Sequence, residues 1–292
     1  MSDRERIRLA LSTGSLYNMG LDRVFALAAT TGYDGVELLV DARIDSYDVS
    51  YLRRLSEQNE IGILSVHTPF APRVEGWPAG SIGRVKQAVQ LAEALGAETV
   101  VAHTPFRGRV LLSIERGRGS KPVRVVLPWR DCGEEEYGRW LGGGLAALQA
   151  QTAVRIAIEN MPMGRLMGRR WLPYRLSTIA ELRRWPYVVL DTTHWGTWGV
   201  DPAAAYEELK GQVVHVHLSD FDGREHRLPF RGNLRLEGLL RRLSSDGFRG
   251  VIAVETEPWA VAGGDWSEEH LRRVLSRVAE ACRRELGQAS FA

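Results

Sequence analysis

The hydrophobic positions of this chain fall into short continuous runs that recur along its length. Most runs are apolar throughout rather than alternating with polar residues, and turn-forming residues bound them. Continuous apolar runs are typical of parallel strands that are covered on both faces. We predict eight strands, at 7–13, 35–40, 62–68, 99–104, 155–160, 187–192, 213–219 and 250–257.

Amphipathic stretches with helical periodicity separate the predicted strands. The clearest of them are 21–32, 81–97, 236–247 and 267–286. Strands and helices that alternate in one uninterrupted chain favour an α/β fold, with a single (β/α)8 TIM barrel domain over residues 1–292. A doubly wound sheet is the alternative, but the turn after the first strand lacks the GxGxxG spacing of dinucleotide-binding folds.

One connection departs from this regularity. Residues 104–140, between the fourth and fifth predicted strands, form a long and locally basic segment. In a barrel this loop lies on the C-terminal face, above the active site. It is therefore either a lid that grips an anion or a solvated insertion, and the sequence leaves both interpretations open.

Composition and charge narrow the class of protein. The 292 residues carry a formal net charge of only +2, which gives no argument for nucleic acid or an anionic membrane as partner. The N-terminal apolar run is too short for a signal peptide, and no segment approaches the roughly 20 apolar residues of a membrane helix. The two cysteines form no CxxC motif. We expect a soluble protein of the reducing cytoplasm, with its state as a monomer or homo-oligomer left open.

The most informative pattern is the set of polar residues at the ends of successive strands. They are Glu37, His67, His103, Glu159, Asp191, His194, His215, His217 and Glu255. Any one of them can be an ordinary hydrogen-bonded residue. In a closed barrel, however, these strand ends converge on one pocket, and carboxylates packed together need a cation. Imidazole and carboxylate ligands without cysteine suit a divalent metal such as Mn, Zn or Co, and Mg less well.

The strand-end motifs also carry a family resemblance. YDGVEL, SVHTPF, VVAHTPF, AIENMP, VVLDTTHW, VHLSD and IAVETEP follow one another in an order that resembles the xylose isomerase-like TIM-barrel superfamily. That superfamily includes sugar isomerases and epimerases, inosose dehydratases and endonuclease IV. The resemblance implies one divalent metal, held by Glu159, Asp191, His217 and Glu255. It further implies that Glu159 and Glu255 move protons as catalytic acid and base, through an enediolate of a sugar, keto-sugar or polyol-derived substrate.

The endonuclease IV branch of the superfamily implies further metals. The candidate ligands for them are His67, His103, His194 and His226. Arg224 stands where that branch has an aspartate, which counts against three-metal phosphodiester cleavage. Nearby carboxylates that can substitute are Asp220, Asp222 and Glu225. Sugar-acting members also keep the histidines on the third and fourth strands, where they can bind substrate hydroxyls.

Three residues are predicted to contact the substrate, namely Glu37, Trp195 and Arg224. In epimerase-like relatives a basic residue soon after the seventh-strand histidine binds substrate oxygens. Arg224 stands at this place, and it can either contact the substrate or form a salt bridge within the loop. Trp195 can pack on a sugar ring, stack on a base or simply fill the core. His215 shares a strand face with His217 and is expected about 7 Å deeper, where it supports another ligand.

These patterns lead to one main hypothesis and two alternatives. The main one is a metal-dependent isomerase or epimerase that acts on a small sugar or polyol. Metal-assisted dehydration, as in inosose dehydratases, uses the same proton abstraction. A metal-dependent hydrolase or apurinic endonuclease is the alternative from another class, and it alone calls for nucleic acid as a partner.

Overall fold

The computed structural model describes residues 6–71, 73–107, 109–114, 123–127, 132–166 and 169–288. Eight parallel strands close into a barrel, with each strand inside one of the predicted apolar runs. The predicted barrel is therefore confirmed, and the doubly wound sheet is excluded. The barrel strands are β1 (Arg8–Ser12), β2 (Gly35–Leu39), β3 (Gly62–His67), β4 (Thr99–His103), β7 (Arg155–Glu159), β10 (Val188–Asp191), β11 (Val213–Leu218) and β12 (Val251–Val254).

Helices follow most of these strands. They are α1 (Leu21–Thr30), α2 (Val49–Asn59), α3 (Ser81–Leu95), α4 (Cys132–Leu141), α5 (Gly144–Gln149), α6 (Ile179–Leu182), α7 (Thr192–Trp198), α8 (Pro202–Leu209), α9 (Leu236–Ser245), α10 (Pro258–Ala262) and α11 (Glu268–Glu285), with short 3-10 turns at Thr13–Leu16 and Ile44–Ser46. Each of the four predicted helical stretches contains one of these helices. Among the described residues, none of the helices has the length and apolar character to cross a membrane.

The long connection between β4 and β7 holds regular structure. Strands β5 (Arg109–Ile114) and β6 (Val123–Leu127) pair antiparallel, and α4 follows them. A second small sheet, β8 (Gly164–Leu166) with β9 (Arg169–Trp171), lies in the connection after β7. The anion-gripping role predicted for the basic segment falls on side chains outside the described part, so the lid remains a prediction.

The interior of the barrel changes character along its axis. Small apolar side chains fill the lower layers, in two clusters formed by Ala10, Val251 and Ala253, and by Val101, Ala157 and Val189. Polar side chains take over toward the C-terminal ends of the strands, where Glu37, His215 and His217 are fully buried. The polar site therefore adjoins apolar side chains that pack inside the barrel.

A buried ion pair joins the last helix to the opposite, N-terminal end of the barrel. Arg283 of α11 donates to Asp34 Oδ1 at 2.9 Å and to the Gly32 carbonyl at 2.7 Å. Asp34 also accepts from the Leu9 amide at 2.7 Å and from Arg6 at 2.6 Å. The Arg283 and Asp34 side chains are only 2% and 6% exposed, so the pair is hardly screened by water.

We predict that Arg283→Ala lowers the free energy of unfolding by about 3 kcal/mol, because it leaves a buried carboxylate with only part of its compensation. Denaturant titration followed by circular dichroism measures this change. Arg284→Ala is the matched control, since Arg284 is 70% exposed in its pair with Glu285 and its loss is expected to cost less than about 1 kcal/mol. Equal effects of the two substitutions would contradict the stabilising role of the Arg283–Asp34 ion pair.

Candidate metal centre

Four strand-end residues converge on one point at the C-terminal mouth of the barrel. Glu159 ends β7, Asp191 ends β10, His217 lies in β11, and Glu255 follows β12. These strands are consecutive neighbours around the barrel, and Asp191 is the direct register partner of His217. As a result, one potential ligand atom from each of the four lies within 4.8 Å of the others.

His217 is at the middle of this group. Its Nδ1 lies 2.9 Å from Glu159 Oε1, 3.0 Å from Glu255 Oε2 and 3.7 Å from Asp191 Oδ2. Asp191 Oδ2 is buried and has no hydrogen-bond partner among the described residues. Three carboxylates around one imidazole, with an acceptor left over, fit a divalent cation of the zinc or manganese type.

Electrostatic contacts within the group offset the cost of burying these charges. Burial alone would raise the pKa of both glutamates, but the charge of His217 lowers the pKa of Glu159 well below its usual value and that of Glu255 to about 2. Burial likewise disfavours charge on His217, yet Glu37, Glu255 and Glu159 raise its pKa well above the ordinary value. A proton on His217 therefore compensates part of the negative charge of the carboxylates, as a bound cation would.

The other ring nitrogen of His217, Nε2, contacts the carboxylate of Glu37. Its Nε2 lies 3.1 Å from Glu37 Oε1, while Ser65 donates to Glu37 Oε2 at 2.9 Å. His215, one layer deeper, approaches the same Glu37 oxygen to 2.8 Å. A carboxylate behind a ligand histidine fixes the orientation of the ring and raises its basicity.

The predicted contact of Glu37 with the substrate remains a prediction, and the structure gives this residue other partners. Its side chain is fully buried, and it lies behind His217 rather than on the open face of the site. The sequence pattern pointed to Glu37 as a strand-end carboxylate, and the barrel brings it from β2 to the two histidines of β11. The register of β2 with β3 also shifts after Val36, which pairs Glu37 with Ser65.

Asn160 is a positioning residue that the sequence reasoning missed. Its side chain donates to the Asp191 carbonyl at 3.1 Å and accepts from the Asp191 amide at 2.7 Å. The amide group thus continues the hydrogen-bond ladder between β7 and β10 beyond the strand ends. The Asn160 carbonyl lies 2.8 Å from His194 Nδ1. The available signal was a polar amide directly after Glu159 in an apolar run.

A second group of possible ligands lies beside the first. His103 Nε2 is 3.2 Å and His67 Nε2 is 3.8 Å from Glu159 Oε2, and the two rings are 3.3 Å apart at their Nε2 atoms. The pairing of His103 with Glu159 across β4 and β7 produces this contact. His67 and His103 are thus positioned for either of their predicted roles, as metal ligands or as partners of substrate hydroxyls.

A third group joins His194 and His226 to Glu225. The His194 Nδ1 contact to Asn160 leaves the opposite nitrogen, Nε2, available as a ligand. His226 has a backbone φ of +56°, a left-handed value that is uncommon for histidine. Glu225 is one of the three substitutes considered for the missing aspartate, so Arg224 in that position does not by itself remove the third group.

Asp220 and Arg224 both lie on the loop after β11, outside the three groups of possible metal ligands. The Asp220 carboxylate accepts from the backbone amides of Phe221, Gly232 and Leu234 at 2.8 to 2.9 Å, which holds the loop after β11 in shape. Arg224 is exposed on this loop, and its side chain has no hydrogen bond or ion pair with the described residues. The role of Arg224 as a substrate contact remains a prediction.

Of the roles predicted for Trp195, its position favours packing in the core. The side chain is 1% exposed and packs in the main hydrophobic core, 5.9 Å from the ring of Trp198. Asp191 caps α7 by accepting from the His194 amide at 2.7 Å. This start of the helix directs His194 toward the centre and turns the next residue, Trp195, toward the core.

The fold and the site can now be compared with known proteins. A family model described as "Xylose isomerase-like TIM barrel" matches residues 25–282. The chain belongs to this family. The family resemblance seen in the strand-end motifs is thereby confirmed.

Relatives and solved structures agree with this assignment. The uncharacterized protein Rv0498 of Mycobacterium tuberculosis is 29% identical, over 93% of this chain and 96% of its own length. AP endonuclease, family 2, from Brucella melitensis is 20% identical with a TM-score of 0.63, covering 89% of this chain and 98% of that one. D-psicose 3-epimerase is 14% identical with a TM-score of 0.65, covering 96% and 100%. At these identities the structures show a common fold, shared by epimerases and an endonuclease.

We predict that Glu37→Gln weakens metal binding about 10- to 100-fold, because the amide keeps the shape but removes the charge behind His217. Competition for Zn²⁺ against a chromophoric chelator measures the affinity. Glu268→Gln is the control, since Glu268 pairs with Arg272 on the exposed face of α11. Unchanged affinity in Glu37→Gln would show that Glu37 does not tune His217.

Proposed function

We propose that the protein is a metal-dependent isomerase or epimerase of a sugar, keto-sugar or polyol-derived substrate. The observation that carries the proposal is the pair of carboxylates, Glu159 and Glu255, on one centre. Each lies within 3.0 Å of His217 Nδ1. They reach it from β7 and β12, which lie on opposite sides of β11 in the barrel.

Two carboxylates on two sides of a substrate carbon suit proton transfer next to a carbonyl. One removes the proton and the other returns it on the opposite face, or one carries it between neighbouring carbons, through an enediolate. A divalent cation held by Glu159, Asp191, His217 and Glu255 would polarise the substrate oxygens and stabilise the developing charge. The charge of His217 lowers the pKa of both glutamates, so both are ionised at neutral pH.

The surrounding histidines fit the same chemistry. His103 contacts Glu159 and is partly exposed at the mouth, so it can bind a hydroxyl of a substrate that reaches this carboxylate. The shared fold of a D-tagatose 3-epimerase-like protein, at 21% identity and a TM-score of 0.59 over 93% of this chain and 100% of that one, is compatible with the proposal. Dehydration of an inosose-type substrate would begin with the same proton abstraction.

We expect Glu159→Gln and Glu255→Gln each to reduce turnover at least about 10²-fold, since each loses one proton-transfer group. The measurement is incorporation of solvent deuterium into a panel of keto-sugars by the metal-loaded protein, read by mass spectrometry. Glu268→Gln serves as the control with an intact centre. Near-normal exchange in either of the first two variants would contradict the two-carboxylate mechanism.

A metal-dependent phosphoester hydrolase is the second candidate. The observation that favours it is the presence of two further ligand groups, His67–His103–Glu159 and His194–Glu225–His226, next to the first. Groups that share or adjoin carboxylates suit a multinuclear centre, which stabilises the attacking and leaving oxygens of a displacement.

Counting the bound metal separates the two candidates. Under the main proposal, inductively coupled plasma mass spectrometry finds one tightly bound metal per chain, and Glu225→Gln leaves that number unchanged. Two or three metals per chain, one of them lost in Glu225→Gln, together with nicking of an abasic-site oligonucleotide, would establish the hydrolase instead.

A further inference from the structure

A cavity of about 390 Å³ lies beside the metal centre, and none of the roles described so far uses it. It is bounded by the loops that follow β3, β4 and β7, together with α3 and α4. Its volume falls in the usual range of small-molecule sites, roughly 300–1,000 Å³. Rings and prolines dominate its wall, namely Phe70, Phe106, Trp171, Tyr174, Pro69 and Pro173.

The charged side chains in the wall are already engaged. Arg84 donates to the carbonyls of Pro78 at 2.9 Å, Ala71 at 2.9 Å and Pro69 at 3.2 Å. Glu134 accepts from Ser81 Oγ and from the Phe106 amide, both at 2.7 Å. The described lining therefore holds one arginine and one glutamate, whose charges offset each other, and it offers a phosphate no net positive charge.

Uncharged polar groups are bonded in the same way. Tyr137 donates its hydroxyl to the His103 carbonyl at 2.7 Å, and Thr104 Oγ1 pairs with Ser177 Oγ at 2.8 Å. Because these hydroxyls already have partners and rings and prolines line most of the wall, a nucleobase edge would find few groups to bond, and unpaired polar groups are costly to bury. The chemistry of the cavity thus favours an apolar ring without polar edges.

The aromatic wall is built as a fixed surface. The rings of Phe106 and Tyr174 meet edge to face, with centroids 5.1 Å apart and planes at 65°. Their backbones are tied by two hydrogen bonds, from Arg107 N to the Pro173 carbonyl at 2.6 Å and from Arg175 N to the Pro105 carbonyl at 2.8 Å. The connections after β4 and β7 are therefore joined, which holds the rings in place for a ligand.

His103 links the cavity to the reacting centre. It lines the cavity, and its Nε2 is 3.2 Å from Glu159 Oε2. Phe70, which is 41% exposed, packs its ring edge to face on His103 with centroids 4.9 Å apart. A single molecule can thus place a polar end at Glu159 and an apolar end between these rings.

We propose that the substrate carries an uncharged aryl group, which this cavity binds while the sugar or polyol end lies at the metal centre. The attachment of the aryl group to the reacting sugar rests on the proposed function. Binding of an aryl group in the cavity does not, because it follows from the wall alone. The proposal narrows the substrate class from sugars, keto-sugars and polyol-derived compounds in general to aryl-substituted ones.

Two matched probes test the inference, phenyl β-D-glucoside and methyl β-D-glucoside, which differ only in the group attached to the sugar. Calorimetry on the metal-loaded full chain is expected to show the phenyl compound binding at least about 10-fold more tightly, because the ring is buried in the cavity. Phe106→Ala should bring the ratio of the two affinities to within about 3-fold. Phe70→Ala, at an exposed position that does not endanger folding, should also lower it.

Trp266→Ala is the matched control, since Trp266 is another partly exposed aromatic residue that lies outside the cavity wall. It should leave the ratio unchanged. Equal binding of the two probes by the wild-type protein, a ratio that survives both cavity substitutions, or a ratio lost in Trp266→Ala would each overturn the inference. Deuterium exchange on free keto-sugars tests the proposed reaction independently of the cavity. The two experiments therefore distinguish a wrong prediction of aryl binding from a wrong prediction of the reaction.

Discussion

The imidazole of His217 is held between carboxylates on both of its nitrogens, and the mouth of the barrel is organised around this contact. Glu37 lies at Nε2, while Glu159 and Glu255 lie at Nδ1. Buried carboxylates are costly unless a positive charge compensates them. A protonated His217 supplies such a charge, and a bound cation in its place would supply more. The raised pKa of His217 and the lowered pKa values of the glutamates are two aspects of this one arrangement.

Residues around the centre position the charged side chains by hydrogen bonds and close contacts. Ser65 and His215 hold Glu37, and Asn160 extends the β7–β10 ladder to hold Asp191. Below them the packed apolar layers keep water out of the base of the site. At the far end of the barrel, Arg283 on Asp34 anchors the last helix against the start of the chain. The rigidity of the site is thus distributed over supports that do not themselves face the substrate.

The fold was predictable because its signal is repeated. Each of the eight apolar runs contains one barrel strand, and closure of the barrel brings the strand-end residues together without any further information. The sequence did not predict how deep each strand-end side chain lies in the barrel or which direction it faces. Glu37 and His217 both end up on the inner surface, but only the closed barrel shows that Glu37 lies behind the ring. His194 and Trp195 are neighbours in sequence, and the cap at Asp191 decides which one faces the centre.

The cavity wall shows a different limit of sequence reasoning. Phe106 closes the strand-end motif VVAHTPF, but Tyr174 is far from it in the chain, and the connections after β4 and β7 bring the two rings together only through backbone pairing. His103 is where the two environments meet. Its Nε2 lies 3.2 Å from the Glu159 carboxylate at the charged centre, and its ring packs against the apolar ring of Phe70 in the cavity wall. A ligand that satisfies both sides must be polar at one end and apolar at the other.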